Sequence, residues 1–289
     1  MSSLKTAKHL PAFSHTVKGW TIAVTRYEYA NFYHTLTDFY NTYILIQSFN
    51  ISSNNLTILL IDGHPSGQLD KTWTVLFGRV IRAGMLTKPA MFENLVWGIS
   101  GYDSVMNTHS SNDLPLVEEF KQFVYQRYQL RTRRKLNCKK LNILAIFRRD
   151  YVAHPRNPTG RVSRKIKNEE EMLDAIKVLL PSHNVKGSQI DLLDMDKQLE
   201  LIAKTDILIG MHGAGLSHTL FLPQHAGLVE LFPDYWYDIH FKAMARWRRL
   251  KYKVWKNINS SNELSDYYTL VDGKGIAETV FEMKRDICS

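Results

Sequence analysis

The sequence predicts an α/β protein, with strands and helices alternating along the chain and therefore a mainly parallel sheet. Three observations carry this reading. Short apolar runs such as Leu56–Ile61 have strand length, whereas Phe32, Leu36, Phe39, Tyr40 and Tyr43 recur at helical steps of three and four. A second kind of run, Asp206–Met211, ends in a loop of small residues (Gly210, Gly213, Ala214, Gly215) before a new apolar run, Leu216–Leu222. That order reads as buried strand, tight turn and helix start. Finally, 289 residues with 44% hydrophobic and 22% charged content suit a folded chain long enough for two α/β domains.

In chain order, residues 19–25 form a short strand and 31–49 an amphipathic helix. Leu56–Ile61 is an apolar strand stopped by Asp62-Gly63. Residues 70–81 read as a helix, 92–101 as holding a strand, and 116–130 as a long helix. The basic stretch 131–140 then marks a domain boundary, giving an N-terminal α/β domain over 1–135 and a C-terminal α/β domain over 136–289. The second domain opens with the strand 141–147 and a Pro- and Gly-containing loop, 151–162. A helix follows through Leu180, with Asn168 as N-cap and Glu171 at the capping-box position. Residues 189–194 read as a strand and 197–203 as a helix; the glycine turn and a strand over 226–232 complete a βαβαβ series. The last helix is one that can pack back on the first domain.

Net charge is +9, from 37 Lys+Arg against 28 Asp+Glu, so anionic partners are favoured. The excess gathers in residues 127–140 and 246–256. No zinc-finger spacing, RNP motif or basic zipper accompanies it, so nucleic acid is not expected. A non-catalytic nucleotide- or RNA-binding protein is the rival reading. No apolar run reaches the roughly 20 residues that span a bilayer. The opening stretch through Phe13 has no apolar core of a signal peptide, and the last four residues are no retrieval signal. Two cysteines, Cys138 and Cys288, can form one bridge or none. Asparagine-linked sequons begin at Asn50, Asn55 and Asn259.

Chemistry-bearing residues gather around the turn. Free amides at a helix N-terminus favour an anion, and small residues let the backbone approach it closely. His212 lies inside the turn, so a phosphate or diphosphate is the natural guest of residues 212–216. Arg148 and Arg149 follow a strand end, where planar guanidinium groups suit a diphosphate. Arg164 and Lys165 stand just before a helix and can close over the same ligand. Glu230 ends a strand about 20 residues past the turn, where an acidic side chain reads ribose in dinucleotide folds. On the first helix, His34 and Asp38 stand four apart and share a face, so the carboxylate can orient the imidazole as a base.

Three segments, in this order, resemble glycosyltransferase family 61. They are 26–43 (RYEYANFYHTLTDFYNTY), 163–172 (SRKIKNEEEM), and 206–223 (DILIGMHGAGLSHTLFLP) with 227–233 (GLVELFP) close behind. The resemblance is nearest the EGF-domain-specific O-linked N-acetylglucosamine transferases and runs from about Arg26 to Trp255. It implies two Rossmann-like domains facing across a cleft, the GT-B type of fold. It also implies an inverting transferase, moving N-acetylglucosamine from UDP-N-acetylglucosamine to a Ser or Thr hydroxyl of an EGF-like domain in the endoplasmic reticulum lumen or Golgi. Other members transfer xylose or arabinose in plants, or act on O-mannose-linked glycan. Carried onto this chain, His212, Gly213, Ala214, Gly215 and Leu216 line the diphosphate and Glu230 the ribose. Arg148 and Arg164 neutralise the leaving phosphates, and His34 or Asp38 lies at the acceptor side. No DxD-type carboxylate pair stands near the turn, so no essential metal is expected and the UDP-sugar enters as co-substrate.

Overall fold

Two parallel sheets organise the chain, each in its own unit. The structure is a computed structural model and describes residues 15–52, 55–130, 135–152 and 157–289. The sequence readings at the N-terminus through Phe13, at Arg131–Arg134 and at Pro155 lie outside the described residues.

The first unit comprises the chain to Tyr29 together with Thr37–Ser104. Its sheet has the order β3-β2-β1-β4, from β1 (His15–Val24), β2 (Leu56–Leu60), β3 (Arg79–Arg82) and β4 (Ala90–Trp97). All pairings are parallel. Interior strand β2 is buried at every position, as a strand covered on both faces must be. Helix α1 (Phe32–Ser48) starts where the Asn31 side chain accepts the Tyr33 N–H at 2.9 Å, an N-cap the sequence reading did not single out. Helix α2 (Asp70–Phe77) is shorter than the expected 70–81. Gly78, at φ +83°, turns the chain out of the helix, and the next residues form edge strand β3.

The second unit comprises Ala30–Leu36 and Val105–Ser289. Its sheet runs β10-β9-β8-β5-β7, again all parallel. The strands are β5 (Asn142–Ile146), β7 (Asn184–Ser188), β8 (Ile207–Met211), β9 (Gly227–Phe232) and β10 (Lys251–Lys256). Between them in sequence lie α4 (Glu169–Leu179), α5 (Met195–Ala203) and α6 (His240–Trp247). A separate two-stranded ladder pairs β6 (Lys165–Ile166) with β11 (Tyr268–Thr269).

Four expectations are corrected. The strand expected at 189–194 is instead β7 at 184–188, an edge strand too exposed to carry an apolar signature, while Ile190–Leu192 forms a 3-10 turn with Ile190 buried. Asn168 precedes α4 but does not cap it. Its side chain instead exchanges hydrogen bonds with Val271, at 2.9 Å each way. Helix α3 (Val117–Arg127) belongs to the second unit, so the unit boundary falls before it and not after it. Buried Lys121 and Tyr125 both donate to carbonyls at the end of the 3-10 helix Ala214–Phe221 and its cap, Phe221 and Leu222. The last helix, α7 (Gly273–Cys288), packs on the second unit's own core: Ile276, Val280 and Met283 join Met172, Ile176 and Val229 there. A disulfide between Cys138 and Cys288 fastens its end beside the entry to β5, with Cα atoms 5.9 Å apart.

Candidate functional site

In an open parallel sheet, ligands bind beyond the carboxyl ends of the strands. At that edge of the second sheet, β8 leads through His212 and Gly213 into the 3-10 helix Ala214–Phe221. Leu216 N–H already bonds Gly213 O at 2.8 Å, whereas the amides of Ala214 and Gly215 belong to the first turn and have no acceptor within the helix. Both residues are partly exposed. Theirs are the amides to which the sequence reading assigned an anion. Leu216 offers none: it is wholly buried, its amide is taken, and it packs as a core residue.

Arg148 leaves β5 and lies flat against Gly213. A Cβ on Gly213 would fall 1.7 Å from its Nη1, so only glycine permits this approach. Its Nε donates to Ser163 O at 2.8 Å. Arg164 reaches the same turn, donating Nε to His212 O at 2.7 Å with its guanidinium 5.0 Å from the Trp236 ring centre. Its backbone sits at φ +58°, a left-handed conformation that a non-glycine residue adopts only when surroundings demand it. Each guanidinium is held by one nitrogen, and neither has a carboxylate partner among the described residues. Burial lowers the Arg148 pKa to about 10, with the nearby Arg164 charge adding to the effect. Burial likewise lowers that of Arg164. Two half-desolvated cations facing one turn are an arrangement that an anion would relieve.

Their sequence neighbours do other work. Arg149 pairs with Glu169. Lys165 is fully buried and held by Asp150 at 2.7 Å, so it does not close over a ligand.

His212 is 6% exposed, and its Nδ1 lies 2.7 Å from Glu230 Oε1. Tyr252 donates its hydroxyl to the other Glu230 oxygen at 2.7 Å. Glu230 is wholly buried with both oxygens engaged. It therefore orients His212 and does not read a ribose. Burial raises the Glu230 carboxyl pKa, opposed by its bonds to His212 and Tyr252. Tyr252 was not foreseen; it lies on β10, and only the β9–β10 pairing brings it to Glu230.

The loop after β9 adds Trp236, Asp238 and His240, likewise unforeseen. The signal was available: an aromatic and ionisable run, Asp234–His240, directly follows a strand end. His212, Asp238 and His240 offer ligand atoms within 4.8 Å of one another. Tyr33 packs edge-on against both His34 and His240, at 5.3 and 5.2 Å between ring centres, so one aromatic ring separates His34 from this cluster. Phe32 lies against His218, which burial holds down to about pKa 4.

The His34–Asp38 pair does not form as expected. Asp38 is 1% exposed, and neither oxygen has a hydrogen-bond partner of good geometry. Burial pushes its carboxyl up to about 8, against the amide of Tyr27 and the charge of Arg26. A neutral, unbonded carboxyl does not orient an imidazole. At the glycine turn the carboxylate–imidazole pair that does form is Glu230–His212.

Part of the second basic cluster is engaged internally. Arg248, 2% exposed, donates to Leu220 O and Leu222 O at 2.9 and 3.0 Å and pairs with Glu118. Lys253 pairs with Glu282 and Asp286. Arg249, Lys251 and Lys256 of the same cluster are exposed.

A family model described as Glycosyltransferase 61 matches residues 32–229. A β-1,2-xylosyltransferase of Arabidopsis thaliana is 28% identical over 84% of this chain and 52% of its own. One from Oryza sativa subsp. japonica is 29% identical over 83% and 49%. An EGF domain-specific O-linked N-acetylglucosamine transferase of Drosophila melanogaster is 28% identical over 78% and 43%. The chain spans about half the length of the curated relatives it matches.

Proposed function

The chain belongs to the Glycosyltransferase 61 family, and from that premise we propose that it transfers a sugar from a UDP-sugar to a hydroxyl acceptor with inversion. The observation that supports this best is that Arg148 and Arg164 meet at the His212–Gly213 turn with no carboxylate in an ion pair with either among the described residues. In this reading they and the Ala214 and Gly215 amides hold the diphosphate as its charge develops. Preorganised donors of this kind contribute several kcal/mol of barrier lowering. His34, one ring from the His212–His240 cluster, takes the proton of the acceptor hydroxyl. The acceptor oxygen attacks the anomeric carbon as the bond to the diphosphate breaks. A GT-B type of organisation accounts for one parallel sheet in each unit.

Two sugars are argued for. N-acetylglucosamine follows from the motifs near residues 26–43 and 163–172, with EGF-like domains as acceptors. Xylose follows from the β-1,2-xylosyltransferases, whose alignments cover more of this chain. A secretory-pathway lumen suits either, because a disulfide persists in oxidising compartments and the asparagines of all three sequons are exposed.

Calorimetry with UDP tests the donor site: folded protein that ignores UDP defeats the reading. A screen of UDP-N-acetylglucosamine against UDP-xylose, with EGF-like modules and N-linked glycans as acceptors, separates the sugars. His34→Ala is expected to lose turnover and keep UDP binding; retained turnover removes His34 as the base.

A further inference from the structure

We propose that His212, Asp238 and His240 form a binding site for a divalent cation of the zinc type. The three donors come together within the second unit from two places: the turn after β8 and the loop that runs from β9 into α6. Two imidazoles and one carboxylate, with a position left for water or a ligand oxygen, are a donor set that suits zinc.

Two details of geometry point to a cation and not to a simple hydrogen-bonded cluster. His240 Nδ1 and Asp238 Oδ1 lie 2.5 Å apart. Yet His240 Nδ1 is a buried atom with no hydrogen bond of acceptable alignment. That nitrogen is left without an aligned partner, and because two ligands of one zinc at about 2.0–2.1 Å stand roughly 3.3 Å apart, the pair has to open by under about 1 Å to admit the ion. The second detail lies behind His212. Glu230 occupies Nδ1 and thereby fixes the ring, so Nε2 is the nitrogen that His212 can offer. A buried carboxylate behind a ligating histidine is the usual outer support of a metal-bound imidazole. Tyr252 holds that carboxylate in turn.

The expectation of no essential metal rested on the lack of a DxD-type carboxylate pair near the turn, and two histidines with one carboxylate are a different donor set. Asp238 lies beyond β9 in sequence and reaches His212 only through the fold. Arg164 stands near enough to feel the Asp238 charge and opposes a bare cation, so the affinity is expected to be moderate. The inference does not depend on the UDP-sugar reading, because it requires cation binding with no nucleotide present.

The test uses the full chain, first stripped with a chelator. Zinc is added under calorimetry, and cobalt(II) serves as a spectroscopic probe. One equivalent is expected to bind, and cobalt is expected to give the visible absorption of a nitrogen–oxygen site of low coordination number. His240→Ala and, separately, Asp238→Asn are each expected to weaken binding by at least ~10-fold, with circular dichroism confirming that each variant folds. His15→Ala, on exposed strand residue His15 of the first unit, serves as the control and is expected to bind as wild type does. Absence of saturable binding in folded wild-type protein would overturn the proposal. So would binding that survives both substitutions, because the cation would then sit on other histidines.

Discussion

The two units place an arginine at the same point of the same kind of sheet and treat it in opposite ways. Arg26 stands two residues past the end of β1, and Arg148 two residues past the end of β5. Arg26 is 2% exposed and fully answered: it bonds Asp62 through Nε and Nη2 at 2.9 and 2.7 Å and Asp70 through Nη1 at 3.0 Å. Arg82 completes a neutral square by pairing with Asp70 at 2.5 Å. Arg148 has only the Ser163 carbonyl, and the charge nearest it in kind is another arginine, Arg164. A closed network is a structural device. An open one, at the ligand-binding edge of a parallel sheet, leaves its charge for a guest. The difference also shows why an arginine after a strand is by itself no sign of a phosphate site.

The comparison breaks most readily in the first unit. Arg26→Met would leave the nearly enclosed Asp62 carboxylate without its cation and Asp70 with Arg82 alone, which should cost about 3–5 kcal/mol of stability, read from chemical denaturation. Burial alone would raise the Asp62 carboxyl, but the bonds from Arg26 overcome it and hold the pKa below its ordinary value. That stability is therefore present above the unfolded carboxylate range and lost as pH falls, and the acid-side slope should flatten in the variant. A loss of UDP binding with unchanged stability would invert the assignment of the two arginines.

Next in size is the disulfide, which belongs to the second unit alone. Cys138→Ser with Cys288→Ser should remove about 2–4 kcal/mol from that unit. Differential scanning calorimetry should show the loss in one transition, and a single shifted transition for the whole chain would mean that the units unfold together.

Arg148→Met sharpens the contrast. With no ion pair to break, it should change stability little and weaken UDP about 30-fold, the equivalent of roughly 2 kcal/mol for a bond to a charged group. Calorimetry and a melting curve on the same sample decide it.

A further test within the first unit concerns Asp38. Its carboxyl is raised to about 8 by burial, so the folded state holds a proton that the unfolded chain releases at about pH 4. Stability from this group is complete below pH 4 and declines as pH rises toward 8. Asp38→Asn should remove that decline, so that in urea denaturation the variant's stability no longer falls between about pH 4 and pH 8. An unchanged pH profile would mean that Asp38 is ionised in the fold.

What was legible in the sequence has a local physical cause. The β8 turn could be read because a buried strand, small residues and a new apolar run are contiguous, and the positions of Arg148 and Arg164 could be read from strand and helix ends. Other errors came from residues whose neighbours are distant in sequence. Leu216 looked like part of the phosphate cradle, yet its side chain faces the core and its amide is used within the turn. Glu230 looked like a ribose reader until the pairing of β9 with β10 supplied Tyr252 and the turn supplied His212. Edge strand β7 was missed because half-exposed strands need no apolar pattern.

By itself the sequence determined the α/β class, the family, and the glycine turn, since each is written in short-range periodicity and in motifs of adjacent residues. Tertiary structure alone decided which charges are free. Arg26 and Arg148 look alike in sequence, and so do Asp38 and Glu230 as partners for a histidine. Their difference lies in whether distant strands bring a compensating group within about 3 Å, because hydrogen bonds and close ion pairs act only over that range.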